Sequence, residues 1–204
     1  MKFIDLSVPL NIQTPVYPGD PITKIEKAGI FEKHGYRDHY ISVGTHVGTH
    51  IDAPNHMIKD GITLDKMPIE RFSGKGVYIK AQKGLTLEIV QGVEIQEGDI
   101  VLLHTGMSEK YHDPEYFTAY PTLREELVRY FIEKKVKMIG IDSCSVDYDP
   151  FPMHRILLQA GILLIENLTG LSELENKKFT VFAFPIKLDL DGAPARVVAQ
   201  VLEE

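Results

Sequence analysis

The chain contains no tryptophan and a single cysteine. It has no apolar run of the eighteen or more residues that a membrane-spanning helix needs. It has no excess of positive charge either: 22 lysines and arginines stand against 29 aspartates and glutamates, a net charge of -7. Each shortage excludes something. One cysteine, Cys144, cannot form an internal disulfide. A negative balance argues against nucleic acid or an anionic membrane as a partner. The opening residues, Met1-Lys2-Phe3-Ile4-Asp5, lack the apolar core and cleavage site of a signal peptide. These absences together lead us to expect a cytoplasmic protein. The 204 residues, 44% hydrophobic and 25% charged, are enough for one domain with a sizeable core.

Apolar runs at residues 3–8, 77–81 within 74–82, 99–104, 138–142 and 162–165 read as strands. Residues 179–188 and 195–202 read as two more, joined by an Asp191-Gly192 turn. Thr14-Pro15-Val16-Tyr17-Pro18-Gly19-Asp20 is turn chemistry, and Pro18-Gly19 suits a type II turn. Residues 22–40 are mixed and polar, and strands with mobile loop are expected there. A helical turn fits 86–91. The clearest helix runs over 122–135, with Leu123, Leu127, Val128, Phe131 and Ile132 on one face and Thr122 with Glu125 as a capping box. A second helix fits 152–160, stopped by Gly161. No linker or repeat interrupts this order. It predicts a single α/β domain, a mixed sheet with helices on it.

One stretch concentrates the chemistry. His46-Val47-Gly48-Thr49-His50-Ile51-Asp52-Ala53-Pro54-Asn55-His56 holds three of the eight histidines in eleven residues, with a carboxylate among them. Such donors suit a divalent metal. Odd positions from Thr45 to Ala53 are mostly β-branched or small and apolar, whereas even ones are polar or turn-forming. An extended segment would put the polar set on one face. His46 would then lie about 13 Å from His50 along a straight strand at ~3.3 Å per residue. For His46 to share an ion with His50 and Asp52 the chain must bend, and Gly48 permits it. The alternative is a polar strand face whose histidines simply hydrogen-bond.

Three further residues stand out. Glu166 ends a buried apolar run, where a carboxylate is costly unless paired or bound to a cation. His154 lies twelve residues earlier, on the helix feeding that strand, and an antiparallel return could bring the two together; the alternative for Glu166 is an ordinary strand-end carboxylate. His104 closes another strand and reads as a structural histidine. Cys144 has no activating neighbour in Ser143 or Ser145, so a buried structural thiol is expected rather than a nucleophile.

The histidine block resembles the signature of the metal-dependent cyclase family, which includes bacterial kynurenine formamidase and isatin hydrolase. Tyr17-Pro18-Gly19-Asp20 is similar to a Trp-Pro-Gly-Asp segment near the family's start. Gly140-Ile141-Asp142 with Ser145-Val146-Asp147, residues 161–167, and Asp191-Gly192-Ala193-Pro194-Ala195-Arg196 resemble later blocks in the same order. The resemblance implies a swivelling β/β/α domain, a mixed barrel-like core with flanking helices. It implies that His46, His50 and Asp52 bind a first metal. In two-metal members Asp52 would bridge to a second ion held by His154 and Glu166, and His56 would be the general acid/base. It also implies a homodimer or homotetramer. Two departures fall on the substrate side: His154-Arg155 stands where formamidases usually carry His-His, and Cys144 stands where proline is usual.

These readings converge on hydrolysis of a small amide, N-formyl or cyclic amide by metal-activated water, with His56 moving the proton. Tyr17 would stack on an aryl substrate. Histidine and carboxylate donors suit zinc, manganese and iron alike. Zinc, as one or two ions, is the expected cofactor, with manganese the second choice. A two-His-one-carboxylate set also defines non-haem iron oxygenases. A metal- or small-ligand-binding protein without turnover is the other alternative.

Overall fold

Runs of alternating aliphatic residues become strands, and their order sets the frame for everything else. The structure, a computed structural model, describes residues 1–81 and 84–202. The chain forms β1 (Lys2–Asp5), β2 (Lys24–Gly29), α1 (Phe31–His34), β3 (Asp38–Ser42), β4 (His50–Asp52), β5 (Ser73–Lys80), β6 (Ile100–His104), α2 (Glu125–Glu133), β7 (Met138–Ile141), α3 (Pro152–Gln159), β8 (Leu163–Glu166), β9 (Phe179–Pro185) and β10 (Gly192–Val201). Seven strands follow one another in the order β10-β4-β8-β7-β6-β5-β9, and β9 pairs back onto β10, so the mixed sheet closes into a barrel-like ring. β1 adds outside the ring along β10. β5 to β8 run parallel, with α2 and α3 as the crossovers between β6, β7 and β8. β4 lies antiparallel between β10 and β8.

Alternation along the strands sorts the apolar side chains into two cores. Ile100 and Leu102 of β6 join Ile51, Met138, Leu163, Ile165, Val181 and Val197 in the core enclosed by the ring. Val101 and Leu103 face the other way, with Ile139, Ile141 and Leu164, under Leu127, Val128 and Phe131 of α2 and Leu157 of α3. With both faces covered, the central parallel strands are continuous apolar runs, as residues 100–103 of β6, all of β7 and the first three residues of β8 are. Among the described residues no helix is long and apolar enough to cross a membrane.

Several expectations need correction. The capping box at Thr122 and Glu125 does not form: α2 starts at Glu125, its N-cap is Arg124, and no side chain caps it. Leu123 is instead drawn into a bridge with Leu85, and its amide donates to the Val146 carbonyl. Burying that leucine outweighs the local cap. The connection between β9 and β10 is residues 186–191 rather than a two-residue turn, because Gly192 already pairs with Asp52. Residues 22–40 hold the antiparallel hairpin β2–β3 with α1 between its strands. In the run 74–82, Gln82 lies outside the described residues.

Candidate metal centre

The histidine block is not one strand. Only His50–Asp52 is extended, as β4, and residues 45–49 form turns. The alternation of Thr45, Val47 and Thr49 has another cause. Val47 is buried, and Thr49 accepts the Val8 amide and donates to the Asn167 carbonyl. Those demands mimic the period of a strand. The bend falls at Gly48, whose φ of +59° is the left-handed conformation that glycine adopts without strain. His46 is thereby folded back toward β4. His56 is likewise not on a strand face: it ends a short 3₁₀ turn, Pro54–His56. Its ring lies against that of His46, centroids 3.9 Å apart.

β4 points His50 and Asp52 to one side, and Ile51 to the enclosed core. Its register places Glu166 directly across from His50. α3 returns over β8 and brings His154 Nε2 to 3.2 Å from Glu166 Oε1 and 3.7 Å from Asp52 Oδ2. On the other side of Asp52, its Oδ1 lies 2.7 Å from His46 Nδ1 and 3.3 Å from His50 Nε2. Asp52 therefore sits at the centre of all three imidazoles. Two triads of donor atoms close enough to hold an ion share it: His46, Asp52 and His56, and His50, Asp52 and Glu166. The expected trio of His46, His50 and Asp52 is divided between the two: Asp52 lies close to both histidines, but Glu166 joins His50 and His56 joins His46.

Hydrogen bonding shows that a cation fits. His50 Nδ1 lies 2.8 Å from the Gly48 carbonyl, so Nδ1 carries the proton and Nε2 presents a lone pair. Among the described residues that Nε2 is buried and has no hydrogen-bond partner. It faces two carboxylates, with Glu166 Oε2 at 3.6 Å. A lone pair and two acceptor groups turned toward one another in a dry site are unfavourable unless a cation lies between them.

The charges respond accordingly. Burial opposes ionisation of Asp52, but His46 and His50 outweigh it and hold the carboxyl well below its usual range. Burial and the neighbouring Asp52 charge push Glu166 up. Burial disfavours charge on His46, yet Asp52 and Asp191 raise its pKa to about 10. Against the same burial penalty, Asp147, Glu166 and Asp52 raise His154 to about 10. Burial lowers that of His56.

Several partners were not singled out from the sequence. Asp191 Oδ2 lies 2.8 Å from His46 Nε2 and 3.3 Å from His56 Nδ1. Asp147 Oδ1 lies 2.5 Å from His154 Nδ1. Asn167 donates to the Gly48 carbonyl and accepts from Tyr116. Each is a small polar residue beside a turn, and only Asp147 is near its histidine in sequence. A cavity of about 430 Å³ opens onto the cluster, and Tyr17, Met57, Cys144 and Phe151 form its less polar wall. Tyr17 opens the expected turn, its carbonyl accepting the Asp20 amide with Gly19 at φ +101°, and its ring meets Phe117 edge-on. The Cys144 thiol donates to the Tyr116 carbonyl, and burial pushes its pKa up, so it is no thiolate nucleophile. His104 lies outside the cluster, 2.8 Å from the Tyr78 hydroxyl. Arg155 donates to the Met57 carbonyl, tying α3 to the loop behind His56.

Known proteins share this architecture. An uncharacterised protein of Methanocaldococcus jannaschii is 33% identical over 98% of this chain and 99% of its own length. A kynurenine formamidase of Bacillus cytotoxicus is 28% identical over 98% of both. Isatin hydrolase A from Labrenzia aggregata, a structure solved with benzyl benzoate bound, superposes with a TM-score of 0.89 at 28% identity, covering 99% of this chain and 94% of that one. Residues 4–148 match the family described as putative cyclase, and with that match this chain belongs to that family.

Proposed function

We propose that the protein is a metal-dependent hydrolase that cleaves the C–N bond of a small amide, N-formyl or cyclic amide substrate. The observation that carries this reading is the unpartnered, buried Nε2 of His50, set between Asp52 and Glu166 on the wall of a cavity. Relatives named kynurenine formamidase and isatin hydrolase supply the reaction class. His46, His50 and Asp52 would hold a first ion, and Asp52, His154 and Glu166 a second. The ion is proposed to be zinc, with manganese as the second choice. Bound there, it would supply Lewis acidity toward a carbonyl oxygen and acidify water.

The chain's own residues do the rest. His56 Nδ1 faces Asp191, which leaves Nε2 to take a proton from water and deliver it to the leaving nitrogen. Burial keeps that imidazole neutral near pH 7, the form a base requires. Tyr17 and Phe151 offer aromatic surface to an aryl or similarly flat substrate. The cavity suits a small molecule, and the net charge of -7 gives nucleic acid or an anionic membrane no electrostatic hold. The working unit is proposed to be a cytoplasmic homodimer or homotetramer.

The test is metal analysis of the purified protein, followed by a screen of N-formylkynurenine, isatin and simple cyclic amides under argon with zinc or manganese. Metal-dependent hydrolysis without oxygen is expected. Oxygen consumption with ferrous iron, or a metal-loaded protein inert toward every amide, would contradict the reading.

A further inference from the structure

One carboxylate touches both the cluster around Asp52 and the residue assigned to proton transfer. Asp191 Oδ2 lies 2.8 Å from His46 Nε2 and 3.3 Å from His56 Nδ1, while the two rings lie tilted by 36° with centroids 3.9 Å apart. An ionised carboxylate only accepts hydrogen bonds, so each nitrogen facing it carries a proton. His46 is protonated at Nε2, while its Nδ1 faces a second carboxylate, Asp52 Oδ1, at 2.7 Å and gives up its own proton only where a cation takes that place. His56 is protonated at Nδ1, which leaves Nε2 with the lone pair. We propose that Asp191 is the positioning residue that sets both imidazoles, coupling the metal-binding half of the site to its acid–base half. This inference rests on the assignment of His56 as the proton carrier.

The backbone is built to hold Asp191 there. Its carbonyl accepts the Ala53 amide at 2.8 Å, and the preceding Leu190 carbonyl accepts the Leu64 amide. The next residue must be glycine: a Cβ on Gly192 would stand 2.7 Å from His46 Cε1 and 3.0 Å from the Ile51 carbonyl oxygen. The loop can lie against the His46 ring only because nothing projects from residue 192.

Asp147 is the internal control. It also stands behind a histidine, with Oδ1 2.5 Å from His154 Nδ1, but its second oxygen accepts the Met153 amide in the first turn of α3. It serves one imidazole and a helix start, and among the described residues no hydrogen bond joins it to His56, whose ring meets that of His154 with centroids 6.3 Å apart. An outer carboxylate that orients a ligand is worth about 10–100-fold in metal affinity or activity. Loss of Asp147 should show only in the metal. Loss of Asp191 should show in both the metal and the proton transfer.

The experiment reads side-chain nitrogen shifts of the histidines by NMR in wild type, Asp191→Ala, Asp191→Asn and Asp147→Asn, metal-free and zinc-loaded, alongside zinc affinity and kcat. In wild type His56 should be protonated at Nδ1. In Asp191→Ala it should lose that preference, zinc should bind about 10–100-fold more weakly, and kcat at saturating zinc should fall with KM little changed. Asp191→Asn keeps one acceptor oxygen and should be intermediate. Asp147→Asn should leave the His56 tautomer as in wild type. An Asp191→Ala protein that keeps the Nδ1 proton on His56 and its full kcat would overturn the proposal. The tautomer is read without turnover, so it judges Asp191 separately from the function. Undiminished kcat in His56→Ala would instead refute the assignment of His56.

Discussion

Two buried carboxylate clusters lie at the same end of the barrel, where β6, β7, β8 and β4 bring their polar residues, and they are built in opposite ways. Asp142, directly after β7, is fully buried and fully served: it accepts from the Thr105 amide and hydroxyl, the Gly106 amide and, at 3.5 Å, the Ser108 hydroxyl. Asp52 and Glu166 are as deeply buried, yet they face each other, three imidazoles and a lone pair with no donor. The comparison teaches that burial does not mark a functional carboxylate. What marks it is a demand that the protein leaves unmet. Around Asp142 the fold closes its own hydrogen bonds and gains rigidity; around Asp52 it leaves a place for a cation.

That contrast can be broken or sharpened. Chelation should have the largest effect, reducing hydrolysis to background and lowering the melting temperature, because an ion bound only by the folded state stabilises it by mass action. Calorimetry with and without chelator checks the second half. His56→Ala should retain the ion but lose roughly 10²–10⁴ in rate, measured at saturating metal; a small loss would favour a binding protein over an enzyme. Asp142→Ala should do the reverse, costing about 3 kcal/mol of stability through stranded buried donors, while the folded fraction binds metal with normal stoichiometry. Urea denaturation and metal titration of one preparation separate the two.

Acidity gives a smaller, graded effect. His46 and His154 have their pKa raised to about 10 in the metal-free protein. The stability they contribute is complete below the unfolded value near 6.5 and is lost as pH rises through about 10. Metal must displace those protons, so affinity should rise by about tenfold per pH unit for each proton released between pH 7 and 10. Proton release on metal addition in weak buffer is the direct readout. Smallest of all, Glu166→Gln should stabilise the metal-free protein slightly in urea denaturation, because burial and Asp52 make the Glu166 charge unfavourable there. The same change at Asp142 should destabilise it.

Most strands along the chain, both major helices and the histidine and carboxylate donors are legible in the sequence because they follow from local periodicity and residue chemistry, whereas the order of the strands in the sheet is not. The meeting of His154 with Glu166 is one of two readings the sequence leaves open, the other an ordinary strand-end carboxylate, and only the return of α3 over β8 decides between them. The turn at residues 45–49 was misread as extended because Val47 and Thr49 meet packing and hydrogen-bonding demands that happen to alternate. The cap at Thr122 failed because a distant partner, Leu85, claims Leu123. Asp191 could not be seen as a partner of His46 from 145 positions away. Its only local trace is the glycine that follows it, which reads as turn chemistry until the His46 ring is found against it.

The central claim is that Asp52 and its neighbours enclose a divalent cation. Anomalous diffraction from crystals of the zinc-loaded protein tests it most directly. The account requires a peak about 2.0–2.2 Å from Asp52 and from an imidazole nitrogen of His46 or His50, and allows a second peak beside His154 and Glu166. A loaded crystal with no peak at Asp52, or with the only ion elsewhere on the protein, would contradict it.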